Sequence, residues 1–204
     1  LAMLGVVLGG RVGYLLFYGW TQIQSDPLYI FRVWEGGMSF HGGFFGVIIA
    51  TYVYTRRHGL GLDRLLDLGA AATPVGLGLG RLANFVNGEL YGRETYLPWA
   101  FVFPSDLTGL PRHPSQLYEF LLEGVLLFAV INYAIYRYKI LTKPGRAAGM
   151  YALIYGLSRI VVEFVREPDA QLGYFGGFVT MGMILSVPLL AIGIWLLLRS
   201  RHST

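Results

Sequence analysis

The sequence predicts an all-α fold: a polytopic membrane helix bundle with loops on one face and a small arm. Three observations carry this. Only 14% of the 204 residues are charged, against about 25% in a soluble domain. Apolar runs recur with the charges gathered between them, each near the ~20 residues a helix needs to cross a bilayer core. The 14 Tyr, 13 Phe and 4 Trp suit the aromatic belts at membrane–water interfaces. A barrel would need short alternating strands, which continuous apolar runs exclude. There is no cysteine, so disulfides, thiolate metal sites and a cysteine nucleophile of the chain's own are excluded.

About six spans are expected, near residues 1–19, 40–56, 65–87, 117–138, 147–166 and 175–198. No segment between them is large enough for a soluble domain. Residues 1–204 therefore read as one transmembrane domain, with 88–116 as its arm. Nine of the sixteen Lys and Arg fall at one set of span ends, namely Arg56, Arg57, Arg64, Arg137, Lys139, Lys143, Arg146, Arg199 and Arg201. The opposite loops hold Arg32, Arg93 and Arg112. The excess places the first set in the cytoplasm, the C-terminus with it, and the longer loops outside. The net charge of +4 is thus an orientation signal rather than a nucleic-acid footprint. The first run starts at Leu1, and one leading span is expected to precede it if the native N-terminus is external.

In the first span Gly5, Gly9 and Gly13 form a small-xxx-small series that permits close helix approach. Arg11, Tyr14 and Tyr18 share one face. Arg11 reads as a snorkelling anchor or a site residue, and the tyrosines as belt or site residues. The loop 20–39 has turn signals at Asp26-Pro27 and Gly36-Gly37. His41 opens the second span beside Gly42, Gly43 and Gly46. It reads either as a cap or belt residue or, since the glycines make room for a partner or substrate, as a proton-transfer group.

The third span carries Pro74, a Gly76/Gly80 pair expected to pack closely, and then Arg81, Asn84 and Asn87 on one face. A guanidinium in an apolar span costs roughly 2.5–3.5 kcal/mol on the lowest scales, so it should line a cavity or meet a partner. An ion pair with Glu89, Glu119 or Glu163 is one reading; anion capture is the other. Gly78-Leu-Gly80-Arg-Leu-Ala83 resembles a dinucleotide fingerprint in letters only, since no βαβ unit surrounds it.

Residues 88–116 are aromatic and proline-rich, and Phe101 to Phe103 suggest a short hairpin or membrane-surface arm. Ser115 reads as a helix cap. Glu119 and Glu123 share a face of the fourth span, and Glu123 is expected to meet a buried arginine. In the fifth span Tyr155, Arg159, Glu163 and Arg166 form a polar stripe, either an internal ladder or a binding face. The sixth span, uncharged before Arg199, reads as packing only.

Arginine's planar paired donors suit phosphate, and the phosphates available at membrane depth are lipid headgroups. Arg81 and Arg159 are expected to face a shared cavity in the outer leaflet. No metal or other cofactor is expected, since His41, His58, His113 and His202 are scattered.

Four blocks, read together, resemble one family. They are His41-Gly-Gly-Phe-Phe-Gly, Gly80-Arg-Leu-Ala-Asn-Phe-Val-Asn-Gly-Glu89, Arg112-His-Pro-Ser-Gln-Leu-Tyr-Glu119 and Arg159-Ile-Val-Val-Glu-Phe-Val-Arg-Glu-Pro-Asp169. They are similar, in order, to the bacterial phosphatidylglycerol–prolipoprotein diacylglyceryl transferases. The resemblance implies seven spans in a full chain with an external N-terminus. It implies transfer of the diacylglyceryl group of phosphatidylglycerol to the lipobox cysteine of a preprolipoprotein, with glycerol phosphate leaving. It implies Arg81 as headgroup ligand and Arg159 as a second essential arginine. His41 is the candidate base, with Tyr14, Asn84, Glu89 and Glu163 orienting the site. Asn87 and Arg166, on the same faces, are expected to bind substrate. The alternative is a non-enzymatic transporter or lipid-binding channel, against which stands the lack of a second Arg81–Glu89 block.

Overall fold

The computed structural model describes residues 1–17, 19–167 and 179–200, without the side chains of Phe17, Trp20, Thr21, Ile23, Phe40, His41 and Phe44. Tyr18, Pro168, Asp169 and the predicted start of the sixth span at 175–178 therefore lie outside the described residues. The chain forms two compact units, 1–65 and 66–204. Within the described residues each apolar run is helical over most of its length. Among the described residues two helices, Ser115–Tyr138 and Met181–Arg199, are long and apolar enough to cross a membrane. A shorter apolar helix covers Ala2–Leu16.

In the first unit, α1 (Ala2–Phe17) packs along its length on α3 (Phe40–His58). The glycine series makes this possible. A Cβ on Gly42 would overlap the Gly9 carbonyl, and one on Gly46 the Gly5 carbonyl. Of the two occupants expected beside His41, a partner or a substrate, the glycines Gly42 and Gly46 admit a partner, the helix α1. Ser39 caps α3, its hydroxyl accepting from the Gly42 amide at 3.2 Å. Between the two lie α2 (Trp20–Ser25) and 3₁₀ turns at Pro27–Phe31 and Val33–Glu35.

Arg11 organises that loop. Its side chain is buried, and it donates to the carbonyls of Ile30 at 3.2 Å, Gly36 at 2.6 Å, Gly37 at 3.1 Å, and Tyr29. The guanidinium also lies 4.5 Å over the Tyr29 ring and 6.0 Å from the Tyr14 ring centre. Arg11 is thus neither a snorkelling anchor nor free to take a substrate. Loop carbonyls without water need donors, and this arginine supplies them.

In the second unit, α4 (Leu62–Asn87, from Leu66 on) meets the long helix Ser115–Tyr138. That helix is α5 (Ser115–Glu119), a π-helical stretch at Phe120–Leu126, and α6 (Leu127–Tyr138). The close approach is at Gly78 and Gly124, where a Cβ on Gly124 would come within 2.9 Å of the Gly78 Cα. Gly76 and Gly80, expected to be the close-packing pair, have nothing within 4 Å of where a Cβ would stand. Gly78 lies between them, on another face.

The core joins Ala70, Leu127, Ile131, Ala134, Ile140 and Ala147. Fully buried Asp67 fastens α4 to α7 (Arg146–Glu163). Its carboxylate accepts from the amides of Gly145 and Ala148 at 2.8 Å each, an N-terminal cap supplied from another helix. Helix α8 (Met181–Arg199) lies on α7, with Gly149 and Gly193 at the crossing.

The arm contains the expected hairpin. Strand β1 (Phe101–Val102) pairs antiparallel with β2 (Pro111–Arg112). Phe103 stacks on Tyr91 and meets Phe85 edge-on, and Phe85 also packs against Phe101 of β1. The Arg112 Nε donates to Asp106 at 2.6 Å. That bond, and others from Thr108, hold the Asp106 carboxyl well below the usual range, at about 2.

Candidate active site

Three arginines and three glutamates from three helices meet at one end of the second unit. Arg81 comes from α4, Glu119 and Glu123 from the long helix, and Arg159, Glu163 and Arg166 from α7 and the turn after it. Their placement follows from the helix repeat. Arg159, Glu163 and Arg166 stand at i, i+4 and i+7 on one face. Glu119 and Glu123 stack one turn apart where the Gly78–Gly124 contact brings α4 against them.

Glu119 is the joint. Its Oε1 accepts from Arg159 at 2.6 Å, and its Oε2 stands 3.1 Å from the Arg81 Nε. Arg159 also pairs with Glu163 at 2.5 Å, and Glu163 with Arg166 at 3.3 Å. The two arginines singled out in the sequence are therefore held by one carboxylate. Glu119 and Glu123 are fully buried, and the three arginine side chains are 13–19% exposed.

The two arginines are held unequally. Arg159 has two short contacts, and the one to Glu119 is a hydrogen bond. Arg81 has longer ones: 3.3 Å to Glu123, and a 3.1 Å approach to Glu119 in which neither Arg81 Nε nor Glu119 Oε2 is aligned for a hydrogen bond. Of these two arginines, Arg81 is the one with the longer contacts.

Beside the cluster lies a cavity of about 240 Å³. Tyr155, Arg159 and Glu163 line it from α7 and Arg166 from the turn after it, while Gly182, Leu185 and Ser186 line it from α8 and Thr180 from that helix's cap. Helix α8 therefore helps build a site wall, where packing alone was expected. A Cβ on Gly182 would overlap the Glu163 carboxylate, so the missing side chain makes room for it. Arg81 is not among the lining residues; it reaches the same cluster from the side of Glu119 and Glu123.

The other singled-out residues lie as follows. Asn84 donates to the Glu89 carboxylate at 3.4 Å. Glu89 and Asn87 are exposed at the end of α4. Arg81 thus pairs with Glu119 and Glu123, not with Glu89. Tyr14 stands beside Arg11 in the first unit. The His41 backbone begins α3, and its side chain lies outside the described residues. Ser115 does not cap its helix. It is the first helical residue, and its hydroxyl donates to the Leu90 carbonyl at 3.0 Å. Gln116 donates to the Glu89 carbonyl at 2.6 Å, so the start of α5 pins the turn that follows Arg81's helix.

Arg93 is a residue that sequence reasoning missed. Its guanidinium donates to the carbonyls of Glu163 at 2.8 Å and Arg166 at 2.9 Å, capping α7 where two cluster residues sit. The helix accordingly ends at Glu163, three residues before the expected end. Gly92 lets this contact close, since a Cβ there would stand 2.5 Å from the Val165 carbonyl. Loop position gave no cue to Arg93; the neighbouring glycine was the only available signal.

Residues 1–199 match the family described as prolipoprotein diacylglyceryl transferase. The chain is similar to the phosphatidylglycerol–prolipoprotein diacylglyceryl transferase of Brucella anthropi, 55% identical over 99% of this chain and 72% of the relative. The enzyme of that name from Vibrio cholerae is 54% identical over 97% of this chain and 71% of its own length. That from Sinorhizobium medicae is 53% identical over 98% and 71%. With the family match over residues 1–199 and these relatives, the chain belongs to the prolipoprotein diacylglyceryl transferase family.

Proposed function

We propose that this protein transfers the diacylglyceryl group of phosphatidylglycerol to the lipobox cysteine of a preprolipoprotein, with Arg81 and Arg159 as the arginines of the reaction. The carrying observation is Arg81 joined to Arg159 through buried Glu119, with Arg81 the more loosely held. The thiol sulfur attacks the glyceryl carbon. A carbon–sulfur bond forms, the carbon–oxygen bond to phosphate breaks, and its electron pair leaves on glycerol phosphate. The phosphate gains negative charge in that step, and an arginine already in place stabilises it without reorganisation. Arg81 holds the headgroup, and Arg159, fixed by two glutamates, faces the developing charge. Glu163 and Arg166 keep Arg159 in position, while Asn84, Asn87, Glu89 and Tyr14 contact the substrates. His41 takes the thiol proton; a thiol of pKa near ~8.5 needs such help at neutral pH.

The setting is the bacterial cytoplasmic membrane, crossed by about six helices of this sequence, with the site in the outer leaflet and the C-terminus inside. The nine-to-three distribution of Lys and Arg supports that orientation. Incubating the protein with phosphatidylglycerol and a lipobox peptide tests the function, and the expected result is a thioether-linked diacylglyceryl peptide. Lipid flux across vesicles without product would favour a transporter instead. Comparing the pH–rate profiles of His41→Gln and the parent protein tests the base; an unchanged rate and profile removes His41 from that role.

A further inference from the structure

The charge balance of the cluster bears on how an anionic lipid can enter it, given the reading of Arg81 as headgroup ligand. Among the described residues, the three ion-paired guanidinium groups and the three carboxylates of this cluster sum to zero formal charge, with Arg93 outside the set on the Glu163 and Arg166 carbonyls. A phosphodiester brings one negative charge. Net charge in an apolar surround is strongly unfavourable, and one proton entering with the lipid restores neutrality.

The partners decide which group takes that proton. Glu119 stands near Arg81, Arg159 and, at 4.0 Å, Arg166. Glu163 has Arg159 and Arg166. Glu123 is fully buried, and among the described residues Arg81 is its one ion-pair partner, at 3.3 Å through Oε2. Its Oε1 is buried without a hydrogen-bond partner. The other groups acting on it are Glu119 from its own helix and Tyr151, Tyr155 and Arg159 from α7. It sits in the π-helical stretch, a distortion often found at functional positions. If Arg81 turns to a phosphate, Glu123 loses its one ion-pair partner and cannot remain charged.

We propose that Glu123 is a proton carrier. It takes up one proton from water as phosphatidylglycerol displaces it from Arg81, and it gives that proton to the departing phosphate. When the carbon–oxygen bond breaks, the phosphate passes from one negative charge to two. Transfer of the Glu123 proton to the phosphate oxygen returns it to one, and the restored carboxylate re-engages Arg81. The thiol proton leaves separately to its base, so one proton enters from water and one departs from the thiol.

The test uses the full chain in phosphatidylcholine nanodiscs in weak buffer near neutral pH, with a pH-indicating dye. Short-chain phosphatidylglycerol is added, and short-chain phosphatidylcholine serves as control. The expected result is uptake of about one proton per phosphatidylglycerol bound by the parent protein, and none by Glu123→Gln. That variant is expected to bind the lipid at least as tightly, because Arg81 has lost a charged competitor, while turnover falls about 100-fold. Absence of uptake by a parent protein that lipidates the peptide overturns the proposal, as does equal uptake by Glu123→Gln. If the variant does not fold, calorimetry of lipid binding to the parent protein in buffers of different ionisation enthalpy decides the matter. A binding enthalpy that follows the buffer supports uptake; one that ignores it overturns the proposal. Failure of the parent protein to form any thioether is a separate result, which removes the transfer reaction itself.

Discussion

Arg11 and Arg81 are both arginines in apolar helices, one in each unit, and they are held by different chemistry. Arg11 donates to four backbone carbonyls of a loop that needs those donors. Arg81 faces two carboxylates, at 3.1 and 3.3 Å, without a well-aligned bond to Glu119. Carbonyls fixed in a folded loop cannot be exchanged without unfolding it. A carboxylate can be replaced by another anion, or neutralised by a proton. The same side chain is therefore a structural pin in one unit and a member of an exchangeable ion-pair cluster in the other, and its partners decide which.

The largest expected effect tests the reactive half. Arg81→Ala should leave a folded protein, because Glu123 can protonate where it loses its counter-charge, and should lower transfer by about 100-fold or more. A peptide lipidation assay beside a circular dichroism spectrum checks both parts. Substitutions in the first unit should act on stability instead. Gly46→Val forces a side chain into the Gly5 carbonyl and should cost about 3 kcal/mol through overpacking, read as a lowered thermal midpoint. Arg11→Gln strips donors from the loop carbonyls and should cost about 2 kcal/mol, with faster proteolysis within residues 26–39. If Arg11→Gln abolished turnover with unchanged stability, the contrast between the two arginines would fail.

A smaller effect concerns the arm. Its Asp106 carboxyl is lowered from 3.8 to about 2. The stabilisation it supplies is thus present above the ordinary carboxylate value and is lost as pH falls through that window. Trp99 donates to the Tyr118 hydroxyl at 2.7 Å and reports on the arm. Its fluorescence should be steady down to about pH 4 and change below it. Asp106→Asn should show the changed signal already at neutral pH. The smallest effect is Gly76→Ala, where nothing stands within 4 Å. It should be neutral or stabilising by about 0.5–1 kcal/mol, in contrast to Gly46 in the same assay.

How much was legible in the sequence differs between the two kinds of glycine and the two kinds of charge. The Gly5, Gly9 and Gly13 series was readable because its complement, Gly42 and Gly46, repeats at the same spacing on the next long helix. The Gly78–Gly124 contact was not, since single glycines on separate helices carry no repeat. The Arg159–Glu163–Arg166 ladder was readable because it lies on one stripe. Glu119 as the joint between Arg81 and Arg159 was not, since 38 and 40 residues separate it from them and either of two other glutamates would have suited the pattern. Arg93 was hidden for a related reason, because its targets are backbone carbonyls, which no side-chain pattern marks.

By itself the sequence determined the helices, the gathering of the charges between apolar runs, and which polar residues share a face. All of these follow from a repeat of 3.6 residues and from the cost of charge in an apolar run. Only the tertiary structure decided which carboxylate meets which guanidinium, and that Arg11 is spent on a loop while Arg81 is not. Those pairings depend on where two helices cross and how closely their backbones approach, and a guanidinium reaches only the partners that the crossing brings within a few ångströms.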